Sequence, residues 1–267
     1  MKSRPRRRFG QHFLEPAWVD KLIPAIDPGP EDTFLEIGPG RGALTRPLAA
    51  RCARVTAVEI DTALAAKLSL QVPANVSIVD ADVLTLDLAA LDLPRPSRAV
   101  GNLPYNIASQ ILVRLLDFGD HGTRLTDATV MLQREVAERV TGDPGSRDWG
   151  PLAVATRLSA VPSVLMNLPP GAFRPMPKVR STLIRLDFRP APVTIANRPV
   201  FDALVRHLFT QRRKTALNAL KAFAARYSRL PVSEIFRRAG VDATRRPGQL
   251  DLPELAELSA VLAETKP

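Results

Sequence analysis

The run Thr33-Phe34-Leu35-Glu36-Ile37-Gly38-Pro39-Gly40-Arg41-Gly42 limits the fold more than any other stretch of the chain. Five mostly apolar residues make a short buried strand, and three glycines within five positions turn the backbone sharply behind it. A helix is predicted from Ala43 to about Ala50. Strand, glycine turn and helix open a βαβ unit, which needs a parallel partner strand. The chain keeps that alternation. Strands are predicted at 55–58, 76–80, the segment ending at Asn102, and 129–132. Helices are expected at 62–70, 109–116 and 134–140, and 161–168 with 181–188 read as a closing strand pair. An amphipathic helix over 15–26, stopped by Pro28-Gly29-Pro30, precedes the first strand. After Arg189-Pro190-Ala191-Pro192 the periodicity becomes purely helical, near 200–208, 211–223, 232–239 and 253–263. These patterns predict one α/β sheet with crossover helices, followed by a small all-helical domain.

The glycine run with Ala43 satisfies G-x-G-x-x-(G/A), so a nicotinamide or flavin dinucleotide has to be weighed, beside a purely structural turn. Glu59, 17 positions beyond Gly42, ends the second strand where such folds hold a ribose diol. Glu36, Glu59 and Asp82 put carboxyl groups near the strand ends, which suits a cationic sulfonium. The three histidines, at 12, 121 and 207, offer no hydride-transfer acid or base. S-adenosylmethionine is therefore the expected cofactor.

Gly101-Asn102-Leu103-Pro104-Tyr105 follows a short apolar strand. Asn102 offers a side-chain carbonyl and Leu103 a main-chain one. Pro104 restricts Leu103 to extended backbone, and Tyr105 adds a flat aromatic face. Two acceptors and a stacking plate suit the exocyclic amine of a nucleobase; the alternative is an ordinary β-turn with a surface tyrosine. Phe173, in the proline-stiffened loop 172–179, is expected on the other face of the base, with core packing as its alternative.

Charge indicates the partner. The net charge of +10 is concentrated at the ends. Residues 1–10 carry five basic side chains and no acid, 191–267 carry 13 basic against 7 acidic, and 11–190 are close to neutral. Such ends fit a polyanion-binding enzyme, or simply a solvated surface. Arg212, Arg213 and Lys214 are the first candidates for contact with the phosphates of such a polyanion, with Lys178 beside the expected base clamp. One cysteine excludes an internal disulfide, and the scattered histidines suggest no metal. No signal-peptide region or run of about 18 apolar residues is visible, so a cytoplasmic protein free of the membrane is expected.

Taken in order, several motifs closely resemble those of the ribosomal RNA adenine N6,N6-dimethyltransferases. They are Gly10-Gln11-His12-Phe13-Leu14, Glu36-Ile37-Gly38-Pro39-Gly40, Val58-Glu59-Ile60-Asp61, Asp82 and Asn102-Leu103-Pro104-Tyr105. Met131-Leu132-Gln133-Arg134-Glu135-Val136, Phe173 with Pro175 to Val179, and Gln211-Arg212-Arg213-Lys214-Thr215 complete the set. The resemblance implies an α/β, Rossmann-like methyltransferase domain with a small helical C-terminal domain. It also implies contacts to S-adenosylmethionine from His12, Leu14, Gly38, Glu59, Asp82 and Asn102, and a catalytic group of Asn102, Leu103, Pro104, Tyr105 and Phe173. His12 departs from the family, which usually has asparagine there. The expected division is a basic arm and helix over 1–30, the catalytic domain over 31–190 and an RNA-binding domain over 191–267. Within the family, the small-subunit enzymes dimethylate two adjacent adenosines near the 3′ end of 16S rRNA. The resemblance therefore implies an immature small ribosomal subunit as partner, and a monomer is expected. A 23S-directed macrolide-resistance methyltransferase and a non-catalytic RNA-binding assembly factor are the alternatives.

Overall fold

A computed structural model describes residues 12–119 and 122–264; Gly10 and Gln11 of the first motif, and the basic arm, lie outside them. In chain order the first elements are β1 (Phe13–Leu14), α1 (Pro16–Ile26), β2 (Thr33–Ile37), α2 (Thr45–Ala49), β3 (Arg54–Glu59), α3 (Thr62–Ser69) and β4 (Val76–Asp80). There follow β5 (Ser97–Asn102), α4 (Ala108–Gly119), β6 (Leu125–Gln133), α5 (Arg134–Thr141), α6 (Pro151–Ser159), β7 (Ala160–Leu168), β8 (Phe173–Arg174) and β9 (Ser181–Phe188). The chain ends in α7 (Arg198–Thr210), α8 (Ala216–Tyr227), α9 (Val232–Ala239) and α10 (Leu252–Glu264).

Seven strands form one sheet in the order β4-β3-β2-β5-β6-β9-β7. The pairs joining β4 through to β6 are parallel, whereas β9 runs antiparallel to both β6 and β7. All five residues of β2 are buried, as expected of a central strand covered on both faces. From β2 the chain moves outward to β3 and β4, then returns to β5 on the other side. The carboxyl ends of β2 and β5 therefore flank the switch point where open α/β sheets hold their ligands. α4 covers the sheet through Ala108, Ile111, Leu112, Leu115 and Leu116, a spacing that keeps one helical face apolar.

At the other end of these strands Arg98 closes the sheet against α1. Its Nε meets Asp127 at 2.6 Å and its Nη1 meets Asp32 at 2.6 Å. The same guanidinium donates to the main-chain carbonyls of Asp27 and Ile26, each at 2.7 Å. Arg185 donates to Ala25 and Ile26 at 3.0 and 2.8 Å. The carbonyls left over at the C-terminus of α1 thus find partners in two arginines from the sheet.

The chain divides into two compact units, one of residues 1–137 and 159–190, the other of 138–158 and 191–267. The expected boundary falls at 190/191, which would leave the segment before β7 in the catalytic domain. The structure instead packs Trp149, Ala153, Val154 and Leu158 in one apolar core with Phe201, Leu204, Leu220, Ile235 and Leu255. Trp149 is completely buried, and its indole N–H donates to the Leu250 carbonyl at 2.8 Å. An amphipathic helix does not reveal from its own sequence which core its apolar face joins. Two local expectations also change. The helix predicted from Ala43 begins only at Thr45, and the helix predicted from Gln211 is a turn over 211–215 followed by α8. Thr215 ends that turn by capping α8, its hydroxyl accepting from the Asn218 N–H at 3.4 Å.

Candidate active site

A cavity opens at the carboxyl ends of β2, β3 and β5 and beyond the end of β4, within the first unit. The residues around it include His12, Leu14, Glu36, Gly38, Glu59, Asp82, Asn102, Leu103, Pro104 and Tyr105. The structure therefore brings together every expected donor-contact residue and four of the five expected catalytic ones. Gly38 and Gly40 have φ of 69° and 56°, the left-handed region that glycine enters without penalty. A Cβ on Gly40 would stand 3.1 Å from the Phe13 ring, so the loop and β1 lie close together.

Glu59 is buried at the end of β3, and its carboxylate anchors the glycine loop. One oxygen accepts from the Gly40 N–H at 2.9 Å and the other from the Asp61 N–H at 3.0 Å. Each oxygen keeps a second lone pair. Burial raises the Glu59 pKa, and the main-chain donors offset part of that rise. Asp61 caps α3, accepting from Ala63 and Leu64. Asp82 accepts from the Leu84 N–H at 2.8 Å, which fixes the orientation of its carboxylate. Glu36 is 2% exposed, and its Oε2 makes no hydrogen bond. Burial pushes the Glu36 carboxyl up to about 7. The neighbouring Thr45 hydroxyl, although short of hydrogen-bond geometry, offsets part of this, and Glu59 adds to the rise.

Asn102 ends β5. Its Nδ2 donates to the His12 main-chain carbonyl at 2.7 Å, and because a carbonyl can only accept, the amide orientation is settled. Oδ1 is thereby left as the free acceptor. Tyr105 is half-buried, with its hydroxyl 2.6 Å from that of Ser181 on β9. Burial raises the Tyr105 pKa. The His12 ring stacks on Tyr105, with centroids 5.3 Å apart and an interplanar angle of 26°. His12 Nδ1 lies 2.6 Å from the Pro175 carbonyl and donates to it, since a carbonyl can only accept.

Phe173 is the correction. Its ring is completely buried, in a core shared with Leu14, Leu22, Ile23 and Leu183, and it does not border the cavity. Its main chain pairs with Leu14 in the two-stranded β1–β8 ribbon, which turns the side chain inward. A ring held there cannot cover a base, so the alternative of core packing describes Phe173. Lys178 is exposed on the loop between β8 and β9. Arg212, Arg213 and Lys214 belong to the second unit, and Arg212 is already engaged. Its Nη2 donates to the Ser146 carbonyl at 3.3 Å, and its guanidinium lies over the Phe209 ring at 5.6 Å. Arg213 and Lys214 are exposed. Sequence reading missed Ser181 and the apolar walls supplied by Ile60, Val83 and Ile107. Only Ile60 left a trace in sequence, an isoleucine between two acids, and it is 39% exposed.

The lining also discriminates between ligands. Among the described residues no lysine or arginine borders the cavity, whereas three carboxyl groups do. A pyrophosphate would meet no cationic partner there, and a sulfonium would meet a negative field. Among the described residues no cluster of three or more His, Cys, Asp or Glu is placed to hold a metal ion, and no helix is long and apolar enough to cross a membrane.

The sheet order, the glycine loop anchored by Glu59 and the acid-lined cavity define a Rossmann-like, S-adenosylmethionine-dependent methyltransferase. The sequence model of a family described as Ribosomal RNA adenine dimethylase matches residues 2–245. The chain belongs to that family. A curated relative from Acinetobacter baylyi, Ribosomal RNA small subunit methyltransferase A, is 40% identical over 259 residues, covering 95% of this chain and 91% of its own. Among solved structures, a dimethyladenosine transferase from Plasmodium falciparum shares the fold at a TM-score of 0.78 and 24% identity, covering 92% of this chain and 96% of that one. The 23S rRNA methyltransferase ErmE aligns at a TM-score of 0.67 and 30% identity, covering 94% and 99%.

Proposed function

We propose that this enzyme dimethylates N6 of two adjacent adenosines near the 3′ end of 16S rRNA, in an immature small ribosomal subunit during late assembly. The identity of 40% to a small-subunit methyltransferase, against 30% to a 23S enzyme of the same fold, supports this choice of RNA. The observation that carries the chemistry is the orientation of Asn102, with Nδ2 held by His12 and Oδ1 left to accept.

The bound donor supplies an electrophilic methyl group on its sulfonium. The adenine amine is a poor nucleophile because its lone pair is delocalised into the ring. Asn102 Oδ1 and the Leu103 carbonyl accept the two N6 hydrogens and favour the tetrahedral nitrogen of the transition state over the planar ground state. Pro104 holds the Leu103 carbonyl in an extended turn, and Tyr105 stacks on the base, braced by Ser181. Placement, rather than a strong base, supplies the acceleration, since N6 becomes acidic only as it gains positive charge. Glu59 takes the donor ribose on its remaining lone pairs, with Gly38, Leu14, His12 and Asp82 completing the donor site. Lys178, Arg213 and Lys214 meet RNA phosphates. The enzyme acts as a cytoplasmic monomer and requires no metal.

The test is transfer of labelled methyl to immature small subunits and, in parallel, to 23S rRNA, followed by mapping of the modified bases. The expected result is label on two adjacent adenosines near the 16S 3′ end. Label on 23S rRNA instead, or on neither RNA, would refute the proposal.

A further inference from the structure

Glu36 has no part in the chemistry above, yet it is a buried acid with an unpaired oxygen. It sits at the end of β2 with its Oε2 unpartnered, in the wall of the donor cavity. Its strand neighbours in register, Ala57 on β3 and Val100 on β5, are uncharged. Glu59 approaches from the end of β3 and Thr45 from α2, while Asp82 and His12 also line the cavity. Arginine and lysine are absent from the wall among the described residues. A buried carboxylate without a cation or a full set of hydrogen bonds keeps its proton instead of its charge. The missing positive charge is one that S-adenosylmethionine brings and S-adenosylhomocysteine, the product left after transfer, does not.

We propose that Glu36 is a charge-balancing residue of the donor site: it is protonated in the free enzyme, releases that proton when the sulfonium enters, and takes one up again when the charge leaves with the methyl group. The inference rests on S-adenosylmethionine as donor. The direction of the linkage follows from the charges. A cationic ligand prefers the ionised carboxylate, so proton release accompanies binding and donor affinity rises with pH through the free-state titration. With that titration at about 7 and the bound carboxylate ionised throughout, affinity increases about tenfold between about pH 6 and pH 8. Release at neutral pH amounts to about half a proton per donor bound, and it vanishes well above the titration.

The measurement is calorimetric titration of the full chain with S-adenosylmethionine in buffers of different ionisation enthalpy, repeated across pH. Glu36→Gln, isosteric with the protonated acid, should bind the donor without releasing the proton and should show flat affinity over the same interval. Its melting curve reports whether it folds. His12, Glu59 and Asp82 remain in that variant, so release from any of them would persist. The wild-type comparison of donor with S-adenosylhomocysteine needs no variant: the product should release less than half as many protons as the donor. Equal proton counts for donor and product, or an undiminished count in folded Glu36→Gln, would overturn the proposal. Failure of the donor to bind at all would appear as absent heat and would count against the assignment of the cofactor instead.

Discussion

The hydroxyl of Tyr105 changes what replacement by phenylalanine tests. Tyr105→Phe keeps the π-face but strands the buried Ser181 hydroxyl, so stability should fall by about 0.5–1.5 kcal/mol while most activity survives. Tyr105→Ala should lose about 1–3 kcal/mol of base binding, typical for removal of one stacking aromatic. Asn102→Ala removes both the acceptor at Oδ1 and the tie to the His12 carbonyl. Its single-turnover rate should therefore fall even with RNA saturating. Single-turnover methyl transfer on immature small subunits, with melting curves run in parallel, separates the three variants. Full activity in Tyr105→Ala would remove the stacking role. Not all of the expected site residues reach the cavity. Asn102 and Tyr105 lie in one turn after a strand, so local backbone carries both to the cavity. Phe173 lies in a short strand whose pairing with β1 decides the direction of its side chain, and that partner is 159 residues away.

At the scale of elements, β5 has two functional ends. Asn102 closes its carboxyl end at the cavity, and Arg98 secures its other end to α1 and β6. Arg98→Ala leaves Asp127, 7% exposed, without its guanidinium partner and removes one of the two arginines that cap α1. The loss of a buried partner of this kind costs about 3–5 kcal/mol. Thermal or denaturant unfolding should show that loss, while donor affinity of the folded fraction stays within about twofold of wild type, the change expected of a site too far along the strand to feel it. An unchanged melting temperature would mean that α1 is held mainly by its apolar face, Val19, Leu22, Ile23 and Ile26. The strands themselves were legible from sequence: β2, β4 and β9 have the predicted limits, because continuous apolar runs bounded by turn residues leave little choice of register. The start of α8 was not legible, since Gln211 to Lys214 are compatible with helix and only the Thr215 cap fixes the boundary.

For the molecule as a whole, the uneven charge predicts how RNA is held. Binding to a 16S fragment should weaken steeply with salt, and Arg213→Ala with Lys214→Ala should reduce the log–log slope by about 0.7–0.9 for each phosphate that is no longer neutralised. Arg212→Ala should act differently, lowering stability more than the slope, because its guanidinium already serves Ser146 and Phe209. Donor affinity should be unchanged in all three, since these residues belong to the second unit and the cavity to the first. A wild-type slope in the double variant would assign phosphate binding to other cations, Lys178 among them.

The sequence by itself determined the alternation of strands and helices, the acid at the end of β3 and the Asn102 to Tyr105 turn. Each is set by spacing and by residues adjacent in the chain. Tertiary structure alone decided that Trp149 joins the helical core, that Phe173 faces inward, that the Asn102 amide points Oδ1 away from His12, and that burial pushes the Glu36 carboxyl up to about 7. Burial, desolvation and a hydrogen bond across 90 residues depend on what the rest of the chain brings alongside, and no local pattern encodes them.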